Sequence, residues 1–368
     1  CEVIYSNPMN VLFLMQTYIN VADADAMYNS LVSEFVSHGH KVTVVASNEG
    51  QSKTRICSEG GVEVLRVNTL PLLNINATIK GLANILLPIN YRRAMRKHLS
   101  NMQFDCIITP TPPITLTYLA RRLKKKHKAR VFLILRDIFP QNAIDLGLFK
   151  RGSLIYKVFR KMEIDLYNVA DYIGCMTPGN IDYVKRHNLT LDPTKLHLLP
   201  NWTKPGTGDS EAGKAIIKSL GLENKLIAIY GGNLGIAQRV ENIVDLAAIH
   251  QEKEDLVFLV IGKGTHKPIL EGLIKEKHLK NIVLVDFMKR HQYESLVSES
   301  IIGLASLSEK FTIPNVPYKI LSYYNYKVPV FAIIDRSTDL NAMIDRDNSG
   351  LYCYQGDFDD YREKFDRL

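Results

Sequence analysis

An α/β fold of two consecutive Rossmann-like domains follows from three features of this 368-residue sequence. Apolar strand-like runs and helical patterns alternate through both halves, which is the arrangement that builds parallel sheets covered by helices. Residues 200–210, rich in proline, glycine and polar side chains, interrupt the alternation once, as an interdomain linker does. The length also exceeds what one hydrophobic core organises. The expected division is a domain over 9–200, a linker over 201–210 and a domain over 211–368, with a cleft between the two sheets.

Composition narrows the partners without choosing one. A formal charge of +8 and a pI near 9.0 suit nucleic acid, an anionic membrane surface or a phosphorylated substrate. The five cysteines, Cys1, Cys57, Cys106, Cys175 and Cys353, are odd in number, far apart and mostly inside apolar runs. They read as reduced core thiols in a cytoplasmic chain, not as a disulfide framework or a zinc site. No apolar run reaches the ~18 residues that span a bilayer, so the chain is expected at most to lie on a membrane.

In the first half, residues 9–15 form a buried-strand run that opens on Met9, and residues 1–8 read as upstream of that natural start. The loop 16–26 carries Asp23 and Asp25. A helix pattern over about 24–37 stops at Gly39 and yields to a strand over 41–46, a βαβ opening. Residues 70–100 then place large apolar side chains before a basic cluster of Arg92, Arg93, Arg96, Lys97 and His98, with Pro88 interrupting. Two readings stand: a segment lying on anionic lipid, or a core helix with a solvated basic end. Strands over 105–108 and 129–135 continue the alternation, the second ending in Arg136-Asp137-Ile138-Phe139-Pro140. Arg136 and Asp137 at a strand mouth either pair with each other or face a ligand, because charges there are costly to leave alone.

From 225 the alternation restarts with strands over 226–230, 256–261, 282–287 and 301–305. Two of them run into glycine turns, Gly231-Gly232-Asn233-Leu234-Gly235 and Gly262-Lys263-Gly264. Glycine lets backbone amides approach phosphate at a helix start, although tight turns also use glycine for conformation alone. After 305 comes a polar loop with Glu309, Pro314, Pro317 and Lys319, then a helix over 317–326 and a strand from Val328. Carboxylate, amides and ammonium meet at one strand end, where open α/β sheets hold ligands. For Glu309 the plain alternative is a solvated loop carboxylate, and for Lys319 a surface lysine on its helix.

GGNLGIAQ at 231–238, IGKG at 261–264, NIVLVDF at 281–287 and SEKFTIPNVPYK at 308–319 resemble the donor domain of bacterial group-1 glycosyltransferases of the GT-B fold. RDIFP at 136–140, PNW at 200–202 and the Pro-x-Lys at 317–319 look closest to O-antigen and capsule transferases of the L-fucosamine transferase type. The likeness covers nearly all of 9–368. Two departures stand out. The family's second glutamate is Pro317 here, which passes ribose contacts to Asn315 or backbone, and the usual Arg and Lys after the first glycine turn are Asn233 and Gln238.

The resemblance implies retaining transfer without a covalent enzyme intermediate, from a UDP- or GDP-sugar to a lipid-linked or saccharide acceptor in surface polysaccharide synthesis. The donor sugar would be an N-acetylated amino-deoxysugar, and the acceptor sugar would ride on polyprenyl diphosphate. It implies no metal and no cofactor. Lys319, Arg239 or Lys263 and the amides of Gly231, Gly232 and Gly235 would hold the diphosphate, with Lys319 favoured. Glu309 would hold sugar hydroxyls, Phe287 and Met288 the base, and Pro317 and Tyr318 would line the donor site. Arg136 and Asp137 would face the acceptor. Peripheral contact with the inner membrane face through 70–100 would bring the lipid. Relatives continue with further helices, so the end at Leu368 reads as truncated. A sugar-nucleotide epimerase of the same fold is the alternative, though these motifs contain no histidine. Nucleic-acid binding is not expected, since the basic residues are dispersed and no recognition motif is present.

Overall fold

The computed structural model describes residues 7–19, 27–48, 53–71, 77–206 and 208–368. Asp23, Asp25, Cys1 and most of the predicted upstream segment 1–8 lie outside the described residues. The chain divides into two compact units, 1–144 with 149–200, and 145–148 with 201–368.

The first unit carries strands β1 (Asn10–Leu14), β2 (Lys41–Ser47), β3 (Arg55–Glu59), β4 (Val62–Val67), β5 (Cys106–Pro110), β6 (Arg130–Leu135), β7 (Tyr172–Cys175) and β8 (Leu196–Leu198). They form one sheet in the order β3-β4-β2-β1-β5-β6-β7-β8. All pairings are parallel except β3 with β4. The helices are α1 (Met27–Ser37), α2 (Ala77–His98), α3 (Thr117–His127), α4 (Gln141–Asp145), α5 (Leu154–Val169) and α6 (Pro178–His187). Strands β1 and β2 are buried along nearly their whole length, as apolar runs covered on both faces must be. Ser153 and Thr177 accept backbone N–H groups at the starts of α5 and α6, and Pro178 occupies the first turn of α6, where its missing N–H costs nothing.

Two details depart from the sequence reading. The hairpin β3–β4 occupies a stretch to which no element was assigned. Pro88, read in the sequence as a break between the apolar run and the basic cluster, lies inside the continuous helix α2. An interior proline costs roughly 3 kcal/mol, and burial of Leu87, Tyr91, Met95 and Leu99 offsets it. Tyr91 further donates its hydroxyl to Met15 O at 2.8 Å, tying the helix to the end of β1.

The second unit runs α7 (Ser210–Ser219), β9 (Leu226–Asn233), α8 (Glu241–Ile249), β10 (Leu256–Lys263), α9 (Lys267–Glu276), β11 (Ile282–Val285) and α10 (Arg290–Ser298). It continues with β12 (Ile302–Ser306), α11 (Ile320–Asn325), β13 (Val330–Ile334), α12 (Leu340–Asp347), β14 (Gly350–Tyr354) and α13 (Phe358–Asp366). The sheet is parallel throughout, in the order β11-β10-β9-β12-β13-β14. Its core on one face is Tyr230, Val244, Phe258, Phe331, Tyr361 and their neighbours. From β9 the chain moves outward through β10 and β11, then returns to lay β12 on the other side of β9. The topological switch point therefore falls between β9 and β12, at the strand ends that carry Gly231–Asn233 and the approach to Glu309.

Candidate functional site

At the carboxyl end of β9 the backbone passes from a buried phenol to a pair of glycines. Tyr230 is fully buried and donates its hydroxyl to Asn233 O at 3.0 Å. A Cβ on Gly231 would lie 2.2 Å from the ring of Tyr293, so only glycine fits there. Gly232 has φ +143, which side-chain-bearing residues rarely adopt. Beneath this turn three tyrosines form a layer that the sequence reading missed. Tyr293 donates to the Tyr323 hydroxyl at 3.3 Å, and the single proton of Tyr323 is shared between Ile229 O and Leu304 O, 3.1 and 2.9 Å away. Burial pushes all three phenols, Tyr230 included, far up, so they stay neutral.

Lys319 reaches into this layer from the residue before α11. Its Nζ lies 3.3 Å from the centroid of the Tyr230 ring and 3.3 Å from where a Cβ on Gly232 would stand. The atom is shut off from solvent and has no hydrogen-bond partner among the described residues. Burial holds its pKa well below the usual lysine value. The aromatic face attracts the ammonium but accepts little from its three N–H donors. A group bearing several oxygen acceptors at the Gly231–Gly232 turn would complete the arrangement. The reading of Lys319 as a surface lysine is thus corrected.

The glycine turns offer fewer free donors than the sequence suggested. Leu234 N–H is spent on Lys263 O at 2.9 Å, and α8 starts only at Glu241, several residues past Gly235. Glu241 in its first turn pairs with His266 Nδ1 at 2.6 Å, so that helix start already faces a carboxylate. The expectation that the glycine turn leads straight into an anion-binding helix end is corrected accordingly. Gly235 instead packs near Asn233, whose amide donates to Gln238 Oε1 at 3.1 Å.

Arg239 and Glu309 meet each other. Their side chains approach to 3.3 Å, both exposed, so the pair itself contributes little stability. Two bonds sew their loops together: Ser306 Oγ donates to Arg239 O at 2.8 Å and Ser308 N donates to Ala237 O at 3.0 Å. Arg239 thus faces a carboxylate, whereas Lys319 Nζ has no hydrogen-bond acceptor among the described residues. Lys263 lies 4.9 Å from the centroid of the Phe287 ring, which is 65% exposed at the end of β11. Met288 beside it is half-buried. Asn315 uses its carbonyl to accept from Thr338, Pro317 is half-buried, and the Tyr318 ring lies 5.4 Å from the Arg290 guanidinium carbon.

In the first unit, Arg136 and Asp137 follow β6, and Thr111 clamps them: its Oγ1 accepts from both backbone N–H groups at 3.0 and 3.3 Å. Both charges act on Tyr28 of α1, in opposite directions, while burial pushes that phenol up to about 12. Arg136, Asp137 and Tyr28 are thus gathered near the carboxyl edge of the first sheet. These two are the predicted site residues that belong to the first unit; the remaining ones lie in the second.

Two successive Rossmann-like units are the architecture of the GT-B class of fold. Residues 26–202 match the family described as a glycosyl transferase 4-like domain. A probable glycosyltransferase of Pseudomonas aeruginosa, WbjE, is 23% identical over 274 residues, covering 69% of this chain and 63% of that protein. The match therefore spans less than two thirds of that relative's length. Among solved structures, WaaG, a glycosyltransferase involved in lipopolysaccharide biosynthesis, aligns with a TM-score of 0.66 at 14% identity, over 97% of this chain and 90% of its own. Anabaena HepE in complex with UDP aligns with a TM-score of 0.66 at 12% identity, over 97% and 90%. The structural likenesses show the GT-B fold, and none of these matches favours the epimerase alternative.

Proposed function

We propose that this protein transfers a sugar from a nucleoside-diphosphate donor to an acceptor in bacterial surface polysaccharide synthesis. One observation carries the reading: an unpartnered, buried lysine Nζ beside the Gly231–Gly232 turn at the switch point of the second sheet. A diphosphate placed there supplies the oxygens that Lys319 lacks. As the glycosidic C–O bond to the diphosphate breaks, negative charge builds on the leaving oxygen and the ammonium stabilises it, worth about 1.5–3 kcal/mol for a charge-assisted hydrogen bond. The acceptor hydroxyl forms the new bond at the anomeric carbon and gives its proton to the departing phosphate. Attack on the face the diphosphate leaves gives retention. Glu309 suits sugar hydroxyls and Phe287 suits the base, since both are exposed beside the turn-bearing strands.

For the acceptor, a polyprenyl-diphosphate-linked saccharide at an anionic membrane surface fits two features of the first unit. Helix α2 exposes Ile79, Leu82, Ile85 and Ile89 along one side, Leu82 and Ile85 at 52% and 62%, and the same side continues into Arg93 and Arg96. Residues 1–200 hold 25 Lys and Arg against 15 Asp and Glu, whereas residues 201–368 hold 21 against 23. The positive charge thus belongs to the unit assigned to the lipid acceptor. No helix among the described residues is long and apolar enough to cross a membrane.

A thermal-shift panel of UDP, GDP and ADP tests the donor half: a ligand at 100 times its dissociation constant stabilises by about 2.7 kcal/mol. Stabilisation by none of the three at millimolar concentration sinks the reading. Incubation of the matching nucleotide sugar with and without a polyprenyl-diphosphate saccharide, followed by mass spectrometry, tests the transfer.

A further inference from the structure

The linker predicted over 201–210 is bonded to the second unit along its length. Asn201 Nδ2 donates to Val316 O at 2.9 Å. Thr203 Oγ1 accepts from Arg290 Nη2 at 2.9 Å, and Arg290 lies over the Tyr318 ring while its Nε donates to Glu294 Oε1 at 2.8 Å. At the far end of α11, Asn325 Nδ2 donates to Lys204 O at 3.1 Å, and Gly208 N–H donates to the Tyr326 hydroxyl at 2.6 Å. The strap thus touches both ends of the element that presents Lys319. Val316 and Lys319 are separated by Pro317 and Tyr318, and the fixed φ of the proline leaves that stretch little freedom to absorb a shift.

We infer that the strap positions Lys319, with Asn201 as the positioning residue and Arg290 on Thr203 as its second hold. The inference rests on the donor reading above and adds how its cation is placed. Asn201 touches no part of the donor itself; it fixes the carbonyl of Val316, and the rigid 316–319 run carries that constraint to the ammonium. Pro200 is the last residue of the first unit and Asn201 follows it in the second. This gives the PNW motif at 200–202 a role.

The test compares Asn201→Asp, which removes the donor at constant shape, with wild type. The probes are whichever of UDP, GDP or ADP stabilises the wild type most, and the corresponding nucleoside, measured by ligand-observed NMR. Asn201→Asp should weaken the diphosphate about tenfold and leave the nucleoside unchanged, because Lys319 serves only the phosphates. On a Lys319→Ala background it should add nothing. Equal weakening of nucleoside and diphosphate, or a loss that multiplies with that of Lys319→Ala, overturns the inference. If Asn201→Asp fails to fold, Thr203→Val is read by the same criteria. A Lys319→Ala protein with normal diphosphate affinity removes the donor reading itself and the positioning role with it, whereas a normal Asn201→Asp beside an impaired Lys319→Ala removes the positioning role alone.

Discussion

Lys319 Nζ stands 3.3 Å above the centroid of the Tyr230 ring, out of reach of water and of any hydrogen-bond acceptor among the described residues. A protein that holds an ammonium this way lowers its own stability in the ligand-free state, since burying an unpaired charge costs more than the ring returns. Lys319→Met keeps the length of the side chain and removes the charge. It should raise the ligand-free Tm by about 2–4 °C, for a gain of roughly 1 kcal/mol, while abolishing stabilisation by the nucleoside diphosphate. The sign with pH follows from the depressed pKa. The folded state is penalised wherever the unfolded lysine is protonated, so the advantage of the variant should shrink as pH rises toward about 10.4. A variant less stable than wild type at pH 7 contradicts the assignment.

The same depressed pKa predicts proton uptake on donor binding. Burial in the empty site disfavours the charged form of Lys319, and a diphosphate favours it. Affinity should therefore fall as pH rises above the ligand-free pKa, by up to tenfold per unit, once the diphosphate's own ionisation is complete. Calorimetry at one pH in buffers of different ionisation enthalpy should report protons taken up by wild type and none by Lys319→Met. Identical proton counts in the two proteins would count against Lys319 as the phosphate contact.

Arg239 is the comparison. Its guanidinium already faces Glu309 at 3.3 Å in an exposed setting, where such pairs are worth about 0–1 kcal/mol. Arg239→Ala should cost turnover less than Lys319→Ala does, by roughly tenfold in kcat/KM. A larger loss at Arg239 would move the leaving-group role to that residue.

Gly231 tests the packing beneath the turn. A methyl there would stand 2.2 Å from the Tyr293 ring, so Gly231→Ala should destabilise by about 1–3 kcal/mol through overpacking. Gly231→Ala combined with Tyr293→Ala should recover part of that loss, as residues in contact are not additive. Denaturant midpoints of the four proteins decide the matter, and strict additivity would mean the strain lies elsewhere.

Much of this fold was legible because both halves spell out parallel βα alternation, and the glycine runs and Glu309-to-Lys319 loop fell at strand ends. The burial of Lys319 was not legible. A lysine before a short helix looks the same in sequence whether it points to water or to the underside of a turn; what decides is the neighbouring layer of Tyr230, Tyr293 and Tyr323, contributed by β9, α10 and α11. Nor could spacing show that Arg239 would turn to Glu309, seventy positions on, or that Glu241 would occupy the start of α8. The path of α2 through Pro88 was hidden for the same reason, since the contacts that hold it are tertiary.

The exposed side of α2 carries the last prediction. Its apolar members are Ile79, Leu82, Ile85 and Ile89, and its cations are Arg93 and Arg96, with Lys97 also exposed. Each cation near an anionic surface adds about 1 kcal/mol of attraction, and each apolar side chain adds area that leaves water. Neutralising Arg93, Arg96 and Lys97 to Gln should weaken binding to vesicles containing anionic phospholipid by at least tenfold, and Ile85→Ser with Leu82→Ser should weaken it on neutral and anionic vesicles alike. Nucleotide stabilisation should be unchanged in both, because the substituted residues lie in the first unit and the Gly231–Gly232 turn in the second. Sedimentation of wild type and variants with vesicles of zero and roughly 30% anionic lipid reads out both effects; vesicle binding that survives all five substitutions would leave α2 as a core helix with a solvated face.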